Sequence, residues 1–278
     1  MIPFGVMKIA NYTDNQRLTI RPPKRYPGKI PILVPMIREM IDLLMPRQCL
    51  VCGRQLGAQE EHLCIWCAAD LPLTYYWEQP HNPMADELNA LLERQRADGE
   101  RLPYVLATAL LFYHQENPFK RIPRALKYGG NVAAGRFFSA QLGRYMAAAP
   151  QFADIDLVIP VPLHWYRKWR RGYNQAEVIA KELARALDAR LGADVLCRTR
   201  RTRTQTRLDA DARLKNVAGV FQVKSAPARR LLASARHIVL VDDTFTTGAT
   251  LATCYNALRQ VLDPAQRISV ATLSTVRD

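Results

Sequence analysis

The stretch His237-Ile-Val-Leu-Val-Asp-Asp-Thr-Phe-Thr-Thr-Gly-Ala-Thr250 sets two adjacent carboxylates and a hydroxyl-rich turn directly after an apolar run. In an open α/β sheet, ligands bind beyond the carboxyl ends of the strands, which is where Asp242 and Asp243 fall. Residues Thr246 to Thr250 lead into a helical pattern, and the unpaired N–H groups and dipole of a helix start favour a phosphate. Gly248 permits close backbone approach, and the threonine hydroxyls add donors without a cation. The two carboxylates suit the hydroxyls of a sugar or an Mg²⁺ ion. An acidic turn followed by a helix cap would account for one Asp and one Thr, but not for the whole string.

A second constellation is Cys49-x-x-Cys52 and Cys64-x-x-Cys67, two pairs separated by eleven residues. A two-residue spacing turns both sulfurs of a pair toward one point, and two such pairs complete a tetrahedral thiolate shell for Zn²⁺. Four protein ligands leave no open position for substrate, so the expected ion is structural. Gly53 fits the tight turn after the first pair. His62 is an alternative ligand or a surface bystander, and Cys197 and Cys254 read as packing residues.

Two basic loops follow the same logic. Arg167, Lys168, Arg170 and Arg171 come just after a strand pattern, with Gly172 for turn freedom and Asn174 as a helix cap. A diphosphate needs several donors at short range, and this loop carries them. A solvated basic face is the plainer reading. Trp165, Tyr166, Trp169 and Tyr173 interleave with the cations as a stacking platform for single-stranded nucleic acid would. The run Arg198 to Lys215 sets seven cations against Asp209 and Asp211, and a polar loop of that length reads as a lid. Lys127, before Tyr128 and the Gly129-Gly130 turn, either reaches an anionic ligand or is a surface lysine at a helix end.

These residues need a scaffold to hold them. Strand patterns at 105–113, 157–161, 220–223, 237–241 and 268–273 alternate with helical patterns near 119–127, 133–148, 175–187 and 249–261. That alternation predicts a parallel α/β sheet with helices on both faces. The 278 residues suffice for about two domains. We expect a tail or arm over 1–36, a helix (Ile37, Met40, Ile41, Leu44, Met45) plus the cysteine segment over 37–77, a polar helical connector over 78–103, and the α/β domain over 104–278. Hydrophobic residues at 49% and charged residues at 23% exclude a disordered chain, and 13 glycines exclude a collagen-like repeat. Lys and Arg total 39 against 25 Asp and Glu, a net charge of +14, which favours anionic partners: nucleic acid, phosphorylated small molecules or an acidic membrane surface. Residues 1–15 lack the pattern of a secretory signal, and no stretch has the roughly 18 uncharged apolar residues of a spanning helix. A cytoplasmic address is the expectation, with cysteines serving as ligands rather than disulfides.

Val-Leu-Val-Asp-Asp-x-x-Thr-Thr-Gly-x-Thr resembles the phosphoribosyl pyrophosphate (PRPP) binding motif of type I phosphoribosyltransferases. With the cysteine pairs upstream, it resembles the ComF family of bacterial competence and DNA-utilisation proteins. Pro160-Val-Pro-Leu-His-Trp-Tyr-Arg-Lys-Trp-Arg-Arg-Gly-Tyr-Asn-Gln175 is similar to that family's pyrophosphate-loop region, and Gln205-Thr-x-Leu-x-x-x-x-Arg213-x-x-Asn216-x-x-x-x-Phe221 to its long flexible loop. The resemblance spans about residues 46 to 278. It implies a type I phosphoribosyltransferase-like parallel sheet behind a small four-cysteine zinc ribbon, with Mg²⁺ accompanying PRPP. The implied binding set is Asp242, Asp243, Thr244, Thr246, Thr247, Gly248, Ala249, Thr250 and Lys127. Arg170 and Arg171 would receive the pyrophosphate, beside Asp242 and Asp243 as the catalytic group, and the loop of Gln205, Thr206, Arg213 and Asn216 would exclude water. Implied partners are PRPP, single-stranded DNA and other DNA-uptake proteins. Purine-salvage members of the superfamily carry a third acid at the position of Thr246, and no segment reads as a hood that would recognise a base. Two functions are therefore carried forward: a phosphoribosyl transferase, and a DNA-binding or adaptor module that keeps the pocket without turnover.

Overall fold

The computed structural model describes residues 46–95, 103–128, 130–163, 172–199 and 220–276. The tail and helix expected over 1–45 lie outside them. So do Gly129 and the loop residues 164–171 and 200–219.

The sheet is built from apolar runs. Ile238 to Val241 are fully buried, as a central strand covered on both faces must be. Five strands form it, all parallel: β1 Ala107–Tyr113, β2 Leu157–Pro160, β3 Arg190–Leu191, β6 His237–Phe245 and β7 Arg267–Val276, paired in the order β1-β7-β6-β2-β3. The expected parallel α/β architecture is present, with the cysteine segment preceding it. The short strands β4 Leu196–Arg198 and β5 Phe221–Val223 form a separate antiparallel pair.

Alternate residues of the strands feed two hydrophobic layers. Ile238 and Leu240 face one, Val239 and Val241 the other. The first layer holds α2 Pro83–Arg94, α6 Ala226–Ala233 and α7 Ala249–Arg259. The second holds α3 Arg121–Tyr128, α4 Val132–Ala148, α5 Gln175–Ala186 and the cysteine segment with its short helix α1 Ile65–Ala69. Helices α4 and α5 approach closely at Gly143, where an added Cβ would meet Ala186 Cβ at 2.6 Å.

Within the polar helical connector expected over 78–103 a helix is present at Pro83–Arg94, but one of its faces is core rather than solvated. Helix α2 buries Met84, Ala85, Leu88 and Leu92 in the core, an i, i+4, i+8 stripe set among charges. Asn82 caps it, accepting from Ala85 N at 3.0 Å, and donates to Ala107 O at 2.9 Å. Asn89 donates to Val105 O and accepts from Val105 N, both at 2.9 Å. The helix is thus bolted to β1 by side-chain amides that a composition count reads merely as polar.

Candidate functional site

Strand β6 ends in Asp242, Asp243, Thr244 and Phe245, and it stays paired with β7 as far as Phe245 opposite Thr275. The turn 246–248 then delivers the chain into α7. Gly248 caps that helix in the left-handed region, φ +67°, and a Cβ there would lie 2.9 Å from the Phe245 ring, so both dihedral and space demand glycine. The first N–H groups of a helix have no intrahelical acceptor. Those of α7 follow Gly248 directly, in a small cup lined by Asp242 and by residues 244–251. The loop predicted from sequence is therefore assembled in one place: Thr246, Thr247 and Thr250 are exposed around it, while Thr244 and Ala249 are half-buried.

Lys127 joins this cluster across the sheet end. Its Nζ lies 3.1 Å from Asp243 Oδ1 and donates to Thr244 Oγ1 at 3.0 Å, which brings to the acid pair a lysine that sequence left open. The Thr244 hydroxyl in turn lies 3.0 Å from Ser274 Oγ on β7. Asp242 faces a different neighbourhood. Burial and the Asp243 charge push its carboxyl up to about 7, against the backbone N–H of Asp243, which donates at 2.8 Å, and the charges of Lys127 and Arg198. Asp242 in turn helps raise the thiol of Cys254, which burial alone already pushes up. Two like charges at a strand end, one held near neutral pH, form a group able to exchange a proton when a cation or hydroxyl arrives.

The four cysteine Sγ atoms of Cys49, Cys52, Cys64 and Cys67 lie within 4.8 Å of one another. Cys52 and Cys64 are 3.7 Å apart, close to the ~3.8 Å edge of a tetrahedron with 2.3 Å zinc–sulfur bonds. Gly53, at φ +76°, closes the first knuckle as its N–H donates to Cys49 O at 2.9 Å. Burial opposes ionisation of Cys49, yet N–H groups of Cys52, Cys64 and Val51 and the Cys52 side chain outweigh it and bring the thiol down to about 6. The donor set therefore fits a metal ion. His62 stands apart, edge-on to Phe137 at 5.2 Å. The segment is tied to the α/β layers by Arg121, which donates to Val51 O at 2.9 Å.

The remaining candidate residues fall into two groups. Arg170 and Arg171, the aromatics Trp165, Tyr166 and Trp169, and Gln205, Thr206, Arg213 and Asn216 lie outside the described residues. Asn174 caps α5 as expected, accepting from Ala176 N at 3.2 Å. Tyr173, read as part of a stacking platform, instead packs in the second layer and donates its hydroxyl to Leu126 O. Ser274, Tyr113, Arg124 and Val276 also lie beside Lys127 or Thr244 and were not singled out from the sequence. Only Arg124 had a signal, since i, i+3 spacing puts it beside Lys127 on one helix face.

No protein-family model matches the chain. A DNA utilization protein, YhgH of Escherichia coli O6:H1, is 40% identical over 97 residues, 35% of this chain and 40% of that protein. Competence protein F of Haemophilus influenzae is 38% identical over 110 residues, 38% of this chain and 45% of that one. Competence protein ComFC of Bacillus subtilis is 28% identical over 121 residues, 44% of each chain. The aligned part thus spans under half the length of each relative. A glutamine PRPP amidotransferase from B. subtilis, solved with ADP and GMP, overlays at a TM-score of 0.32 with 21% identity, over 49% of this chain and 26% of that one, a likeness too slight to carry an argument. The matches to YhgH, competence protein F and ComFC support assignment of this chain to the ComF family.

Proposed function

We propose that the carboxyl end of β6 binds PRPP with Mg²⁺ and that the domain belongs functionally with the phosphoribosyltransferases. The observation that carries this reading is the Asp242–Asp243 pair, braced by Lys127 and followed at once by the Gly248-capped start of α7. In it, Asp242 and Asp243 hold the ribose diol, and Thr246, Thr247, Gly248, Ala249 and Thr250 hold the 5′-phosphate. Thr244 keeps Lys127 in place. Arg170 and Arg171 receive the pyrophosphate, and the loop of Gln205, Thr206, Arg213 and Asn216 excludes water. Mg²⁺, when bound, neutralises diphosphate charge. The transfer displaces pyrophosphate from the ribose anomeric carbon by a nucleophilic acceptor. Cys49, Cys52, Cys64 and Cys67 hold a structural Zn²⁺. The family names of the relatives connect this activity to uptake or use of DNA, with single-stranded DNA and other uptake proteins as partners.

Thr246 favours a second reading, a binding module without turnover, because a hydroxyl stands where salvage enzymes use an acid on the base. The first test is thermal. PRPP with Mg²⁺ raises the melting temperature of the wild type, because a ligand of the folded state alone stabilises it. The double change Asp242→Asn with Asp243→Asn removes that rise, and an equal rise in both proteins overturns the proposal. Pyrophosphate release then separates transferase from binding module.

A further inference from the structure

A cavity of about 410 Å³ opens beside the acid pair, at the carboxyl ends of β1, β6 and β7. Its walls are Tyr113, Pro123 and Val276, with Arg124 and Lys127 from one face of α3, Thr244 from the end of β6 and Thr246 from the turn after it. Thr244 and Thr246 also line the cup at the start of α7, so the two spaces share a wall. Its volume is that of a small-molecule site, and so is the mixture of a flat ring, aliphatic walls and a few convergent polar groups.

We propose that this cavity is the acceptor-side subsite, and that it takes a small planar aromatic anion. The inference rests on the PRPP reading for the word acceptor, but the ligand chemistry comes from the lining alone. Among the described residues, no carboxylate lines the cavity, and of its two described cations Lys127 is already paired with Asp243 at 3.1 Å, whereas no described carboxylate pairs with Arg124. A guanidinium presents a planar fork that matches a carboxylate two bonds at a time, which a lysine cannot do. Tyr113, Pro123 and Val276 leave a planar ring as the body that fills the rest. Held there, the ligand lies next to Thr246, on the side of the acid pair toward β1 and β7.

The test is equilibrium binding to the full chain, with nicotinate and benzoate as probes and their neutral isosteres nicotinamide and benzamide as controls. The expected result is that each anion binds about tenfold or more tightly than its amide, and that Arg124→Gln removes that preference. Arg124 is exposed, so the substitution leaves folding intact. Arg124→Gln should also leave the PRPP-induced thermal shift unchanged, whereas Asp242→Asn with Asp243→Asn should abolish that shift and spare anion binding. Anion binding through Arg124 without any PRPP shift would retain the subsite and discard the PRPP reading. Equal binding of acids and amides, binding of neither, indifference to Arg124→Gln, or inorganic phosphate competing as well as nicotinate would overturn the proposal.

Discussion

At its amino end, β6 buries His237 to 1% exposure, with Nδ1 donating to Asp154 Oδ1 and Nε2 accepting from Ser269, both at 2.7 Å. At its carboxyl end the same strand carries Asp242 beside Asp243. Burial pushes the imidazole down to about 4, past the opposing charge of Asp156, and pushes the carboxyl up to about 7. The outcomes differ in kind. A neutral His237 satisfies both ring nitrogens, and Arg267 closes the network on Asp154. Its Asp–His–Ser order is that of a hydrolase relay. Yet Ser269 is as buried as His237, so its hydroxyl is closed off from any substrate. That end is built for stability. At the other end a like-charge pair is kept at an energetic cost, beside an exposed turn, which is the arrangement the proposed PRPP site uses.

Metal removal is expected to have the largest effect, and to leave both ends of β6 in place. Elemental analysis should find one Zn²⁺ per chain, and Cys64→Ser or chelation should remove hydrogen-exchange protection from residues 47–67 while β6 and β7 stay protected. Metal-free protein with that segment still protected would contradict the assignment. His237→Ala comes next. It leaves the buried Ser269 hydroxyl without its partner and empties a packed site, while Asp154 keeps Arg267, so stability should fall by about 2–4 kcal/mol in urea melts, with the PRPP-induced shift retained. A loss of that shift would break the contrast between the two ends.

Proton linkage separates them by sign. Asp242 has a folded value of about 7 against an ordinary 3.8, so the folded state holds a proton that the unfolded chain has lost. Its contribution is full below pH 3.8 and disappears as pH rises through 7. His237 works the other way: its contribution is present above its ordinary 6.5 and is lost as pH falls toward 4. Asp242→Asn should therefore raise the melting temperature at about pH 8 and not at about pH 4, whereas His237→Gln should flatten the decline between pH 6.5 and 4. Identical profiles for the two variants would show that the ends are not distinct. The smallest effect belongs to Lys127→Met. Losing one half-buried pair should change stability by about 1 kcal/mol or less, yet raise the Asp242 carboxyl further, visible by NMR titration. An unmoved Asp242 would remove Lys127 from the electrostatics of the site.

The sequence alone was enough for features written in local spacing. The cysteine pairs, the strand running into Asp242 and Asp243, and the glycine before α7 each depend on residues a few positions apart, where periodicity and turn chemistry act directly. The core stripe of α2 was equally local but was hidden, because composition weighs Glu and Arg without asking which face they occupy. Tertiary structure alone decided what meets across the sheet. Lys127 and Thr244 are 117 residues apart, and His237 and Asp154 are 83 apart. Whether a lysine at a helix end reaches an aspartate, or a histidine finds a carboxylate, depends on strand order and register, which no single stretch encodes. The shifts at Asp242 and His237 follow from the same cause, since desolvation is a property of the layers that close over a side chain and not of the side chain itself.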